Sequence, residues 1–220
     1  MEEKDENLIR EPQGRKLTKA ESIRMKQFAL TSADLEEKGY KLTNLTVSAA
    51  KANVLGIVAG CVLALPFVLA FHFMIGLNNH EVKPLYLILC PVAMIVSIVV
   101  HELLHGAGWI LFTKGKFKSI AFGVVWEALM PYCTCKEALR KGQYLTGLVL
   151  PLLILGIIPS ALALVFGSFY LLIYGAVMII CAGGDICILF LILTTKLKGD
   201  VLFVDHPSEI GLAALVKEEQ

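Results

Sequence analysis

The stretch Leu85–Phe112 decides the fold: it reads LYLILCPVAMIVSIVVHELLHGAGWILF and contains His101-Glu102-Leu103-Leu104-His105. This apolar run exceeds the roughly 20 residues with which an α-helix crosses the hydrocarbon of a membrane. Residues four apart lie on one face of a helix, so the rings of His101 and His105 can reach the same cation. Glu102 directly follows the first histidine, where its carboxylate can contact a water on that cation. This is the H-E-x-x-H pattern typical of zinc-binding helices.

The apolar surroundings of the motif strengthen the metal interpretation. An ionised side chain at the centre of a spanning helix costs about 2.5–3.5 kcal/mol on insertion scales, so Glu102 needs a reason to be there. The alternative is a pair of hydrogen-bonded core histidines with an incidental glutamate beside them. The clustering of several polar groups within an apolar segment favours the metal site.

The composition of the chain is that of a membrane protein. Hydrophobic residues make up 56% of its 220 residues, and the mean hydropathy of +0.70 is too high for an ordinary soluble domain of this size. A net charge of +1 argues against nucleic acid as a partner. The first fifty residues are polar and charged, so we expect no cleavable signal peptide. The six cysteines lie mostly in apolar runs and predict buried thiols rather than a disulfide framework.

Four apolar segments are each long enough to span a membrane, and short connections predict that they form two helical hairpins. With four spans, 19 of the 20 Lys and Arg residues lie on the side of the N-terminus and only Lys83 lies on the other. Because basic residues stay on the cytosolic side, we expect a multi-pass protein of the cell membrane with both termini in the cytosol. The predicted spans are Asn53–Leu77, Leu85–Phe112, Leu145–Phe166 and Tyr170–Thr195.

This topology places Asp185 at the depth of the histidines. The second and fourth spans both run from outside to inside, and at 1.5 Å per residue His101 lies about 24 Å, and Asp185 about 22–23 Å, from the outer ends. Two glycines precede Asp185, and small residues let spanning helices approach closely. We therefore predict that Zn²⁺ is bound by His101, His105 and Asp185, with Glu102 as the catalytic residue.

The segment between the second and third spans is predicted to be structured. Bulky and small residues alternate over Ile120–Trp126, which is the period of a β-strand. A second strand over Ala128–Cys133 would complete a hairpin over the metal site. Thr134–Glu137 has a capping-box pattern that predicts the start of a short helix. The spacing Cys133-x-Cys135 is compatible with a second metal site, although buried thiols are the simpler interpretation.

The two ends of the chain carry weaker signals. Thr18–Lys38 has helical spacing and would lie against the membrane or the protein body, or remain a solvated arm. Val201–Val204 predicts a strand that ends at Asp205-His206-Pro207. Asp205 and His206 offer an alternative ligand, but a turn near the membrane surface explains them as well.

The predicted fold class is an all-α polytopic membrane protein with four transmembrane helices. A small cytosolic β-hairpin and helix form an insertion between the second and third helices. We divide the chain into a cytosolic N-terminal arm (1–50), a membrane metalloprotease-like domain (51–195, with the insertion at 113–144) and a cytosolic tail (196–220).

With these features in place, the chain resembles a bacterial family of zincin peptidases with membrane H-E-x-x-H motifs, and more distantly the site-2 proteases. The resemblance covers most of the chain from about residue 35 and implies a peptidase without naming a substrate. Site-2 proteases carry their third metal ligand in a longer Asp-containing motif on a later helix. At the corresponding position this chain has only Gly183-Gly184-Asp185. The residues that carry the family resemblance are Gly39-Tyr40, Lys51-Ala52-Asn53, His101–Gly106, Tyr132 through Lys136-Glu137, Pro151, Gly184-Asp185-Ile186, and Asp205 with Pro207 and Gly211.

The leading hypothesis is an intramembrane zinc metalloprotease that cleaves membrane-embedded or membrane-associated proteins near the cytosolic side. One alternative is a non-catalytic membrane scaffold or chaperone with a vestigial metal site, and another is a divalent-metal carrier. A carrier would show polar residues staggered across the bilayer, whereas here they cluster at one level. A second hypothesis concerns the strand Lys118–Trp126, which either binds an extended substrate at its edge or is only a lid; Ala121 and Gly123 form its small face.

Overall fold

The computed structural model describes residues 19–77, 83–125 and 130–218. A π-helical turn, Leu152–Ile157, joins α4 to α5, and a 3-10 turn, Lys116–Ser119, precedes β2. The helices are α1 Lys19–Glu37, α2 Ala49–Met74, α3 Pro84–Ile110, α4 Lys141–Pro151, α5 Ile158–Phe166, α6 Phe169–Cys181 and α7 Gly183–Thr194. The strands are β1 Lys41–Val47, β2 Ile120–Val125, β3 Met130–Cys135, β4 Leu139–Arg140, β5 Asp200–Asp205 and β6 Ile210–Lys217.

Three helical rods in the described residues are long and apolar enough to cross a membrane: Ala50–Met74, Pro84–Ile110 and Lys141–Phe166. The pair α6 and α7 passes the same test jointly but bends by 53° between its two helices, so it counts as a fourth candidate only as a broken span. The protein is therefore mostly helical with three or four candidate spans. This agrees in part with the four predicted helices.

The candidate spans pack around the bent pair. α2 packs mainly against α6 and α7 rather than against its sequence neighbour α3, so the first predicted helical hairpin is wrong. Glycines bring α2 and α7 together: a Cβ built on Gly56 would lie 2.7 Å from the backbone carbon of Gly183. Such close helix contacts are typical of membrane bundles.

α3, the helix of the histidine motif, packs chiefly on α4 near its C-terminal end. A Cβ on Gly108 would lie 2.5 Å from the Cα of Gly147, so the two backbones are in direct contact. The indole N–H of Trp109 donates a hydrogen bond to the carbonyl of Tyr144 at 2.9 Å. Trp109 is 3% and Tyr144 1% exposed, and a buried indole needs such a partner. This contact fixes the end of α3 that carries the motif.

The predicted hairpin is present, with Ile120 paired to Cys135 and Gly123 paired to Tyr132. Trp126 and Ala128, which the prediction included, lie outside the described residues. The hairpin rests on the motif helix, since a Cβ on Gly106 would lie 2.8 Å from the ring of Phe122. Its other face is directed towards α1, where the guanidinium carbon of Arg24 lies 4.1 Å from the centre of the Tyr132 ring.

Both ends of the chain meet in a four-stranded antiparallel sheet of order β1-β6-β5-β4. The arm contributes β1, whose Leu45 pairs with Leu212 of the tail, and the insertion contributes the short strand β4. The helix predicted over Thr18–Lys38 is present as α1, and its Phe28 and Leu35 are buried with Val204. The predicted all-α class omits this sheet.

The short helix predicted from Thr134–Glu137 is wrong. Thr134 lies within β3, and Leu139–Arg140 forms β4, whose Leu139 pairs with Phe203 of β5. Glu137 accepts hydrogen bonds from the backbone N–H of Lys114 and Gly115 instead of capping a helix. Pairing with a distant strand therefore outweighs the local capping pattern.

Candidate metal centre

Three side chains from two helices converge on one point. Asp185 on α7 places Oδ2 3.0 Å from Nε2 of His101 and Oδ1 3.3 Å from Nε2 of His105. The two Nε2 atoms lie 3.2 Å apart. The structure thus brings together the three residues that the sequence predicted as ligands, in a group able to hold a metal ion.

The orientation of His105 is set by the neighbouring helix. Its Nδ1 lies 2.9 Å from the carbonyl oxygen of Gly147 on α4. A carbonyl only accepts, so Nδ1 carries the proton and Nε2 of the neutral ring keeps its lone pair for a cation. The ring also stacks on Trp109, with centroids 5.4 Å apart and planes inclined by 14°. Both contacts hold the imidazole in the orientation that ligation requires.

The donor set fits zinc. Ligand atoms about 2.0 Å from a tetrahedral Zn²⁺ are separated by roughly 3.3 Å. The two imidazole nitrogens lie 3.2 Å apart, each lies 3.0–3.3 Å from one oxygen of Asp185, and one ligand atom from each residue lies within 4.8 Å of the others. Oδ2 of Asp185 is buried and has no well-aligned hydrogen-bond donor in the described part of the chain. A buried carboxylate oxygen without a donor, 3.0 Å from Nε2 of His101, is what a bound cation would satisfy. Two histidines and one carboxylate also match the ligand class of catalytic zinc sites.

The break between α6 and α7 places Asp185. The bend occurs at Ala182, and Asp185 lies in the first turn of α7. Gly183 contacts the backbone of Gly56, whereas a Cβ on Gly184 would meet no atom within 4 Å. Close packing against α2 therefore fixes the start of α7, and with it the carboxylate.

Glu102 lies beside this group, with the backbone N–H of Cys133 in β3 close to its carboxylate. The hairpin register explains the contact. Because the N–H of Lys136 bonds to the carbonyl of Ser119, alternate residues of β3 point their N–H groups away from β2, and Cys133 and Cys135 are among them. The N–H of Cys133 therefore points towards Glu102. The N–H of Cys135 donates a hydrogen bond to Asp205 at 2.8 Å.

Asp205 and His206 are engaged away from the ligand group. The Asp205 carboxylate also accepts the hydroxyl proton of Tyr144. Burial raises the pKa of Asp205, although the hydrogen bonds from Tyr144 and Cys135 act in the opposite direction. Nδ1 of His206 accepts the backbone N–H of Glu209 at 2.9 Å, which is the turn that the sequence suggested. Neither residue supports the alternative ligand.

The thiols of the Cys133-x-Cys135 spacing are buried, at 9% and 3% exposure. Burial raises the pKa of Cys133, and it raises the pKa of Cys135 to about 12. The one metal-capable group of the described residues does not include these thiols, which pack in the core as the simpler interpretation held.

The sequence analysis did not predict the groups that orient the side chains of the site. The ring of Trp109, the carbonyl of Gly147 and the N–H of Cys133 each orient a functional side chain. Two of these three contacts use backbone atoms, which no motif reveals. The third, the ring of Trp109 on His105, has the four-residue spacing of one helix face, a signal that the sequence did contain.

The geometry defines a group that could hold a metal ion, with donors typical of catalytic zinc sites and the carboxylate of Glu102 beside it. Residues 94–198 match the model of the protein family described as "Putative zincin peptidase", a segment that includes all four predicted site residues. The match confirms the resemblance to that family, which suggests a metallopeptidase and implies zinc. No curated protein and no solved structure matches the chain.

Proposed function

We propose that the protein is an intramembrane zinc metalloprotease, similar to site-2 proteases, that cleaves membrane-embedded or membrane-associated proteins near the cytosolic side. The observation that carries the proposal is the convergence of His101, His105 and Asp185 within 3.0–3.3 Å, with Glu102 alongside. These groups lie on helices whose composition suits a bilayer.

Each residue has a definite task in peptide hydrolysis. His101, His105 and Asp185 would hold the metal and leave a position open for water or substrate. Bound zinc lowers the pKa of a water molecule and polarises a carbonyl. Glu102 accepts the proton of the attacking water and then donates it to the leaving amine. The N–H of Cys133 orients the carboxylate of Glu102 for both transfers.

We place the protein in the cell membrane with four spans, the bent pair counting as one, and with both termini in the cytosol. This orientation puts the hairpin and the four-stranded sheet on the cytosolic side of the metal site. The distribution of Lys and Arg supports this orientation.

The outer edge of β2 is our candidate for substrate binding. No strand pairs with this edge in the described residues. The same register directs the backbone groups of Ile120, Phe122 and Val124 outward, whereas those of Gly123 face Tyr132 of β3. An unwound substrate could satisfy its own N–H and C=O groups there. The small face of Ala121 and Gly123 is not the binding face, because the Tyr132 ring covers Gly123.

Glu102 separates this proposal from a scaffold with a vestigial site and from a metal carrier, since neither needs a general base next to the ligands. The test uses protein purified in detergent and loaded with zinc, with wild type, Glu102→Gln, His101→Ala and Asp185→Ala compared side by side. Zinc content is measured by mass spectrometry and cleavage on a panel of dye-labelled single-span polypeptides.

We expect Glu102→Gln to keep its zinc and to lose at least about 10²-fold in cleavage, as for other general-base deletions. The two ligand variants should lose both zinc and cleavage. Wild-type protein that binds no zinc, or Glu102→Gln with normal turnover, would refute the proposal.

A further inference from the structure

A basic turn follows the motif helix directly. It comprises residues 114–118, Lys114-Gly115-Lys116-Phe117-Lys118, and all five are exposed. Phe117 stands out because its side chain is 79% exposed, on a turn that it does not help to pack. An exposed aromatic side chain between lysines is the pattern of interfacial membrane segments.

The basic turn is rigidly built rather than loose. Glu137 accepts hydrogen bonds from the backbone N–H groups of Lys114 and Gly115 and from the hydroxyl of Ser119. Burial alone would raise the pKa of Glu137, but these hydrogen bonds outweigh it and lower the pKa. The carboxylate is therefore occupied by the turn's own backbone, and Lys116 is held at a φ of 51°, which side-chain-bearing residues rarely adopt.

The lysines of the basic turn are exposed and form no close ion pair among the described residues, although the Glu137 carboxylate attracts Lys114. In the described part of the chain, no carboxylate lies within 4.0 Å of the ammonium groups of Lys114, Lys116 or Lys118. The ammonium of Lys116 lies 3.4 Å from the carbonyl of Ile110, at the end of α3. Lys136 adds a fourth cation nearby, donating to the carbonyl of Lys118 at 2.8 Å.

We propose that the basic turn binds the headgroups of anionic phospholipids, with Phe117 inserted at the boundary between headgroups and acyl chains. Charge complementarity selects this partner, because the cytosolic surface of a membrane is negative and the turn presents three lysines around an apolar side chain. The proposal requires that α3 spans the membrane. It does not depend on peptidase activity.

The consequence is a fixed depth for the metal site. α3 ends at Ile110, five residues beyond His105, which is about 8 Å of helix. A basic turn anchored in the headgroups therefore holds the ligands just below the membrane surface. A substrate would have to be unwound at the same level.

The test measures which lipid touches position 117. Phe117→Trp protein is reconstituted in vesicles of phosphatidylcholine that contain an equal fraction of brominated phosphatidylglycerol or brominated phosphatidylcholine. Wild-type protein already contains Trp109 and Trp126. The loss of tryptophan fluorescence in the wild type is therefore subtracted from the loss in the variant. Phe166→Trp is the matched control, since Phe166 is 71% exposed on α5 and has no lysine beside it in sequence.

We expect both brominated lipids to quench the indole introduced by Phe117→Trp, with brominated phosphatidylglycerol several-fold more effective, because each lysine strengthens attraction to anionic lipid by a factor of about five. The preference should disappear when Lys114→Gln, Lys116→Gln and Lys118→Gln are added together. It should also weaken in high salt, which tests the charge effect without changing the fold. In Phe166→Trp protein the two lipids should quench equally.

Absence of quenching in Phe117→Trp protein would show that the basic turn does not touch the membrane. Equal quenching by the two lipids at low salt would show that the turn has no preference for anionic headgroups. Either result overturns the proposal.

Discussion

Replacing Gly183 by alanine should weaken zinc binding although Gly183 is not a ligand. The added Cβ would lie 2.6 Å from both the carbonyl carbon and the oxygen of Gly56, whereas ordinary contact begins at 3.4 Å. Both partners are backbone atoms and cannot rotate away, so α2 and α7 must separate by about 0.8 Å. Asp185 lies two residues further along α7 and should move with it.

The expected loss of zinc affinity can be estimated from the cost of overpacking at Gly183. Overpacking of a close contact costs about 1–3 kcal/mol, which corresponds to a roughly 5- to 150-fold loss of affinity if the bound state carries the cost. A shift of about 0.8 Å is large against ligand separations of 3.0–3.3 Å. We therefore expect a zinc Kd that is at least about five-fold weaker.

Gly184→Ala is the matched control. It adds the same methyl group one residue closer to Asp185, raises helix propensity equally, and meets no atom within 4 Å. Zinc affinity is measured by competition with a chelating dye in detergent. Thermal unfolding of the same samples verifies that both variants are folded. If Gly183→Ala binds zinc as tightly as wild type, or if Gly184→Ala is weakened equally, the contact with Gly56 does not position Asp185.

Three further predictions test other parts of the structure. Asp185→Ala should lose as much zinc as His105→Ala, measured by mass spectrometry, and full retention would assign the third ligand elsewhere. Val124→Pro removes an N–H that points away from β3, so it should reduce cross-linking of substrate to β2 without lowering stability. Gly123→Pro removes an N–H that faces β3, so it should destabilise the hairpin. If the two variants have the same stability and the same cross-linking, the register is contradicted. Glu137→Gln should lower the melting temperature at neutral pH. The lowered pKa of Glu137 stabilises the fold above the ordinary value of 4.5, and this stability is lost as the pH falls through the folded pKa, so the two melting curves should converge in acid.

The metal group was predictable because its geometry is carried by regular helices. A rise of 1.5 Å per residue and one topology were enough to place Asp185 level with His101, and the two side chains lie 3.0 Å apart. The hairpin was predictable for a similar reason, since the alternation over Ile120–Val125 is local. Each of these predictions uses a period that can be read within a single element.

The four-stranded sheet was not predictable in this way. β1 and β6 are separated by most of the chain, and their pairing of Leu45 with Leu212 leaves no local trace. Residues Leu212–Leu215 are all fully buried, so β6 lacks the alternation that marks a strand with one exposed face. The capping pattern at Thr134–Glu137 failed for the complementary reason, because a local signal competed with strand pairing to β5.

The site is supported from three directions by close contacts at glycines, two between backbones and one between a glycine and an aromatic ring. Gly183 against Gly56 sets the carboxylate of Asp185, and Gly108 against Gly147 brings the carbonyl of Gly147 to His105. The third is the contact of Phe122 with Gly106, which seats β3 where its N–H reaches Glu102. The ligands lie on two helices, the histidines on α3 and the aspartate on α7. Neither helix alone fixes the distance between imidazole and carboxylate, so contacts with neighbouring elements must fix it. Gly108 and Gly183 are therefore as important to the site as the ligands, because their contacts determine whether the ligands meet.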